Sequence, residues 1–134
     1  MQIYESAEDY LEAILMLKER NGSVHSVDIA QELGYSKASI SVAMKKLREN
    51  GYIEMAKDGE ISLLPPGRKI AEHIYERHKL FSEYFVSIGV DPETARKDAC
   101  RIEHDISDIT FEKVKQQIQA NMQKNKTASK RSLQ

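Results

Sequence analysis

The chain has no tryptophan, a single cysteine, three prolines and three phenylalanines among its 134 residues. Cys100, being alone, cannot close an internal disulfide, which excludes a disulfide-stapled scaffold and predicts a reducing, cytoplasmic setting. With aromatics at 7%, a large aromatic ligand pocket is not expected, and no small organic substrate is among the expected partners. No apolar run is long enough to span a bilayer, so no membrane partner is predicted. Met1-Gln2-Ile3-Tyr4-Glu5 has neither the basic nor the apolar region of a secretory signal. Gly-rich phosphate loops, His-Glu-x-x-His and a Ser-His-Asp arrangement are also missing, which argues against an enzyme. What is there, 40% hydrophobic and 31% charged residues, suits one globular domain or two small ones sharing a core.

A net charge of −1 hides an asymmetry. Between Ser36 and Asn50, Lys37, Lys45, Lys46 and Arg48 stand against Glu49 alone. From Lys124 onward Lys124, Lys126, Lys130 and Arg131 meet no acid, so the rest of the chain is acidic. A solvated face is the commoner reason for one basic helix, but an acidic body with two basic patches also suits a confined polyanion contact.

Periodicity and punctuation predict a mainly α chain. A first helix starts at the N-cap Ser6 and runs to about Arg20, stopped by Asn21-Gly22. A second spans Ser26 to about Leu33-Gly34, and a third spans Ser36 to Asn50-Gly51. Two strand-like runs, Tyr52–Met55 and Ile61–Leu64, flank Asp58-Gly59 and read as a hairpin. Pro65-Pro66-Gly67 should break the chain before a long helix over about Arg68–Ser87, with Ile70, Ile74, Phe81, Phe85 and Ile88 as its apolar stripe. Asp91-Pro92 caps a helix reaching about Ile106. The last helix covers about Asp108 to Met122, and a basic tail from about Asn125 reads as disordered. The expected division is 1–66, 67–123 and a tail of 124–134.

Residues 26–47 carry the spacing of a helix-turn-helix. Ala30 is small enough for two helices to cross, Gly34 can take a left-handed turn, and Ile40 plugs the interface with Ile29, Leu33 and Leu47. The second helix leads with small polar residues suited to a major groove, and the hairpin has the size and place of a wing. A plain three-helix bundle explains neither that polar leading edge nor the basic trailing turn. Ser36, Lys37, Ser39 and Ser41 are therefore expected to face bases, and Lys45, Lys46 and Arg48 phosphates. Lys57, at the wing tip, is expected to reach the DNA backbone or an adjacent groove. The partner is double-stranded DNA.

The second half holds a different chemistry. Cys100, Glu103 and His104 stand at i, i+3 and i+4, within about 100° of one another around a helix. They border the stripe of Ala95, Ala99, Ile102 and Ile106. His78 lies among the apolar positions of its helix, where a hydrogen-bonded core histidine is commoner than a ligand. In the first helix Glu12 interrupts an apolar run, with Asp9 on the same face, and a carboxylate there is expensive to bury without a partner. Together these residues supply three carboxylates, two imidazoles and a thiol, the donors of a divalent transition-metal site.

The winged helix, the His78 helix, and Cys-x-x-Glu-His after a Gly-Val-Asp-Pro turn together resemble the diphtheria toxin repressor family, nearest its manganese-regulator branch. The resemblance covers about residues 4–122. It implies a winged helix-turn-helix DNA-binding domain followed by a helical metal-binding and dimerisation domain. It further implies a homodimeric, metal-activated repressor of palindromic operators that controls metal homeostasis genes, with metal-ligand positions at Asp9, Glu12, His78, Cys100, Glu103 and His104. The chain ends where larger iron-responsive members continue into an SH3-like domain. Asp9 is the manganese-type residue and Cys100 the iron-type residue. Ser82 stands where the family often has Glu, with Glu83 adjacent, and Val42 replaces a polar recognition-helix residue. Manganese is placed ahead of iron, with zinc or cobalt able to substitute. The competing reading is a metal-independent winged-helix regulator that uses Cys100 as a redox switch. Its thiol beside Glu103 would react poorly unless His104 is protonated.

Overall fold

The computed structural model describes residues 5–132, and the side chains of 6–124. In chain order it contains α1 (Glu5–Asn21), α2 (Ser26–Leu33), α3 (Lys37–Glu49), β1 (Ile53–Met55), β2 (Ile61–Leu63), α4 (Pro65–Ser87), α5 (Pro92–Ile102) and α6 (Asp108–Ser132). Two compact units divide within α4, Met1–Glu76 and Arg77–Gln134, later than the expected boundary at residue 66. No helix among the described residues is long and apolar enough to cross a membrane.

The first unit is a helix-turn-helix with a wing. Ile29, Ala30, Ile40, Met44 and Leu47 are buried between α2 and α3, as the spacing requires. Gly34 takes φ 73°, and its amide donates to the Ala30 carbonyl at 2.9 Å. A residue with a Cβ would be strained in that conformation. The Ser36 hydroxyl accepts from the Ser39 amide and so caps α3. β1 and β2 pair antiparallel, Ile53 opposite Leu63 and Met55 opposite Ile61. Ile53 and Ile61 turn inward to join Leu11, Ile14, Leu17 and Val24 in the core. The Ile61 amide also donates to Val24, which fastens the wing to the loop after α1. The Arg20–Glu32 pair at 3.2 Å joins α1 to α2. Such exposed pairs add little stability.

Several boundaries differ from the sequence expectation. α1 begins at Glu5, so Ser6 lies inside the helix and is not its cap. Pro65 and Pro66 do not break the chain; they form the first turn of α4. Their missing N–H groups cost nothing there, because those donors lack partners in any helix. Gly67 has a steric reason. A Cβ placed on it would lie 2.2 Å from the Tyr52 carbonyl oxygen.

In the second unit Phe81, Ala99 and Phe111 form the core, with Leu80, Phe85, Ile102, Ile106 and Val114 packed against it. Asp91 caps α5 by accepting from the Thr94 amide, and Pro92 follows at the first helical position. α5 stops at Ile102, short of the expected Ile106, so of the three clustered residues Cys100 alone lies within the helix. Ile88 follows the end of α4 and is 61% exposed, outside the stripe it was expected to complete. α6 continues to Ser132, where composition predicted an end near Met122 and disorder after Asn125. The segment is poor in core residues but rich in Lys, Gln and Ala, good helix formers, and has neither Gly nor Pro to stop it.

Helix propensity alone would favour alanine over glycine at position 67. The contact with Tyr52 reverses that sign: Gly67→Ala is expected to lower stability by about 1–3 kcal/mol. Urea unfolding checks it, and a gain in stability would show that the carbonyl is free to move.

Candidate metal centre and nucleic-acid interface

The nucleic-acid face is built by burial on one side of α3. Ile40, Met44 and Leu47 point inward, so the helical period turns Ala38, Val42 and Lys45 outward. Ser36, Lys37, Ser39, Ser41, Lys45, Lys46 and Arg48 are all exposed, as is Lys57 between the two strands. Ser36 carries a second task, because its hydroxyl also meets the Ser39 hydroxyl at 2.9 Å. Val42 is 57% exposed and Tyr35, at the turn, 47%. Neither was among the candidate contact residues, although an apolar side chain on an otherwise polar face is itself a signal.

The metal-ligating candidates of the second unit converge. One donor atom from each of His78, Cys100 and Glu103 can be chosen so that all lie within 4.8 Å of one another. His78 projects from α4 with Nδ1 3.4 Å from the Cys100 sulfur and 3.2 Å from Glu103 Oε2. On the other side His104 Nε2 lies 3.4 Å from Glu103 Oε1. α5 has ended before Glu103, but that residue keeps right-handed helical angles, φ −61° and ψ −27°. The i, i+3 relation to Cys100 therefore survives the end of the helix.

The Glu103 carboxylate is wholly buried. Its two oxygens face imidazole nitrogens and meet no hydrogen-bond donor of good geometry among the described residues. An ionised carboxylate removed from water needs positive charge beside it. Two imidazoles and a thiol around such a carboxylate are a donor set that suits a divalent transition ion, so the residues fit the group. Ser82, one turn after His78, is half-buried, whereas Glu83 is exposed.

Asp9 and Glu12 lie on α1 in the first unit, Asp9 half-buried and Glu12 only 7% exposed among the apolar residues of that helix. The oddity noted in the sequence is thus a real burial of charge. Arg77 is a buried charge that sequence reasoning missed. It is 4% exposed, and it hydrogen-bonds the carbonyl oxygens of Glu103 and Ile106 at 3.0 and 2.6 Å. A signal existed: Arg77 falls three residues after Ile74 and four before Phe81, on the buried stripe of α4.

His78 is pushed up to about 10 by Cys100 first and Glu103 second, with burial opposing. Its proton therefore stabilises the metal-free fold fully below the unfolded value of about 6.5, and that contribution is lost as pH rises toward 10. Chemical denaturation in chelator is expected to show stability falling over this window. A stability that is flat or rising from pH 7 to 10 would contradict it. A metal held by the His78 imidazole would have to displace the same proton, so its apparent affinity would rise with pH across the window.

Comparison with known proteins also finds two parts, divided between residues 61 and 65 and so before the break between compact units after Glu76. Residues 2–61 match the family model "Iron dependent repressor, N-terminal DNA binding domain". Residues 65–127 match "Iron dependent repressor, metal binding and dimerisation domain". The chain is 35% identical over 108 residues to the transcriptional regulator MntR of Salmonella typhimurium, covering 81% of this chain and 69% of that one. It is 34% identical over 113 residues to an uncharacterized HTH-type transcriptional regulator of Methanocaldococcus jannaschii, covering 83% and 90%. Among solved structures it is similar to a manganese-dependent transcriptional repressor in complex with manganese, with TM-score 0.75 and 26% identity. That likeness covers 84% of this chain and 52% of the other, so the chain spans about half the length of that repressor. It is also similar to ScaR with bound Zn2+, with TM-score 0.68 and 27% identity over 84% of this chain and 53% of that one.

Proposed function

Because the chain belongs to the iron-dependent repressor family of DNA-binding, metal-dependent transcriptional regulators, we propose that it represses metal homeostasis genes by binding palindromic operator DNA as a homodimer when loaded with a divalent metal. The observation that carries this reading is the pairing of an exposed, basic recognition helix in one unit with a buried His78–Cys100–Glu103 cluster in the other. Nothing in the reading calls for catalysis or an organic substrate, and it places the protein in the cytoplasm.

The proposed ligands are His78, Cys100, Glu103 and His104, with Asp9 and Glu12 of α1. The last two are included because they share one face of α1 and offer carboxylate oxygens, donors that suit a divalent ion. When bound, the metal supplies positive charge that offsets the buried Glu103 carboxylate and keeps the imidazoles unprotonated. Hard oxygen donors, Asp9 above all, favour Mn2+, whereas the Cys100 thiolate adds affinity for Fe2+, Zn2+ and Co2+. We place manganese ahead of iron. Two-fold operators require recognition helices about 34 Å apart, so metal selects the arrangement that meets this spacing. By linkage, DNA then tightens metal binding.

On the DNA, Lys37, Ser39 and Ser41 face base edges, while Lys45, Lys46 and Arg48 hold phosphates and fix the register. Ser36 can join the first group only through the capacity its cap leaves free. Lys57 follows the backbone beside the wing. Val42 presents methyl groups outward and suits contact with a thymine methyl.

Retention of genomic DNA fragments tests the proposal, in chelator and then with Mn2+, anaerobic Fe2+ or Zn2+ added singly. A discrete palindromic fragment is expected to be retained only with metal, and Asp9→Ala is expected to abolish that dependence while leaving the fold intact. Retention indifferent to metal would overturn the proposal. A second reading draws on the 3.4 Å contact of Cys100 with His78, since a protonated imidazole favours a thiolate. If that contact makes a redox switch, retention should respond to peroxide in chelator, and Cys100→Ser should remove the response.

A further inference from the structure

Arg77 and His78 are consecutive on α4, and both are directed at the segment after α5. His78 faces the Glu103 side chain. Arg77 instead holds the Glu103 main chain. Its Nη1 donates to the carbonyl oxygens of Glu103 and Ile106 at 3.0 and 2.6 Å, and its Nη2 donates to the Asp108 carboxylate at the start of α6. The guanidinium carbon lies 4.9 Å from the centre of the Phe111 ring. All four partners belong to the α5–α6 turn or the first turn of α6.

Packing alone does not require an arginine here. A methionine would fill much of this space without a charge to desolvate, and such replacements are often neutral or stabilising. What a methionine cannot do is donate hydrogen bonds to the Glu103 carbonyl at the end of α5 and to the Ile106 carbonyl in the turn that follows. The guanidinium has five donors in a fixed plane, so it can hold two carbonyls and a carboxylate in one geometry. The backbone so fixed is that of Glu103 itself and of the turn that carries His104.

We propose that Arg77 is a positioning residue for the metal site: by clamping the Glu103 and Ile106 carbonyls it sets where the Glu103 and His104 side chains stand relative to His78. This rests on the metal-binding reading above. One buried cation thus fixes the ligand-bearing turn from behind, while the imidazole beside it meets the ligands from the front. Contacts of this kind, which orient ligands without touching the ion, typically change metal affinity about 10–100-fold when removed.

The test uses the full chain with Co2+, whose d–d absorption bands report coordination geometry. Arg77→Met is expected to weaken Co2+ binding about tenfold or more and to shift the bands. Arg77→Lys keeps a cation but lacks the planar fork, so it should bind more weakly than wild type and with altered bands even if its thermal unfolding is close to normal. Phe111→Leu loosens the same packing without removing the carbonyl contacts. It should lower the melting temperature while leaving the bands and affinity nearly unchanged. Wild-type bands and affinity in Arg77→Lys would overturn the proposal even if Arg77→Met failed to fold. Absence of Co2+ binding by the wild-type chain would instead overturn the metal-binding reading on which it rests.

Discussion

The buried carboxylate of Glu103 is the constraint around which the second unit is organised. It is wholly inaccessible, and both oxygens face imidazole nitrogens. A charge in that position cannot be left to the low dielectric of a small core. α4 contributes His78 beside it, α5 brings Cys100 near, the turn after α5 adds His104, and Arg77 holds the carbonyl of the same residue. Without cationic or metal partners, the arrangement of α4 against the α5–α6 turn would have an unpaired charge at its centre. A metal shifts the conformational population only in so far as it binds one arrangement more tightly than the other.

The DNA-binding unit rests on the opposite principle. Its core is apolar apart from Glu12, and the side chains read as DNA contacts take no part in it. Ala30, Gly34 and Ile40 set how α2 meets α3, and that packing turns the polar ridge of α3 outward. The wing is stabilised separately, through Ile53 and Ile61 in the core and the Val24 carbonyl at its edge. Affinity for DNA can therefore change through surface residues without disturbing the fold. The exception is Ser36, whose hydroxyl both caps the recognition helix and stands among the candidate base contacts.

Where local chemistry determines structure, the elements were legible in the sequence. The Asp91-Pro92 start of α5, the Gly34 turn and the Asp58-Gly59 hairpin each follow from backbone geometry that few residues satisfy. The approach of Cys100 to Glu103 was legible from spacing alone. It holds although α5 ends early, because Glu103 keeps helical dihedral angles past the end. The misreadings share a cause: the residue's role is set by its partners in space. Pro65 and Pro66 read as a break, yet a helix accepts them in its first turn. Arg77 has a charged side chain whose partners are main-chain carbonyls 26 and 29 residues away, and no local pattern announces them. The length of α6 was missed because composition measures the lack of core residues, whereas a helix can also continue on intrinsic propensity.

Glu103 is the residue whose buried charge a bound metal would offset. Thermal unfolding of the wild type and of Glu103→Gln, each in chelator and in saturating Mn2+, tests that claim. The account predicts a large metal-induced rise in the wild-type melting temperature, increasing with metal concentration as binding to the folded state alone requires. It predicts almost no rise in Glu103→Gln. A variant that still folds and keeps the wild-type rise would contradict it.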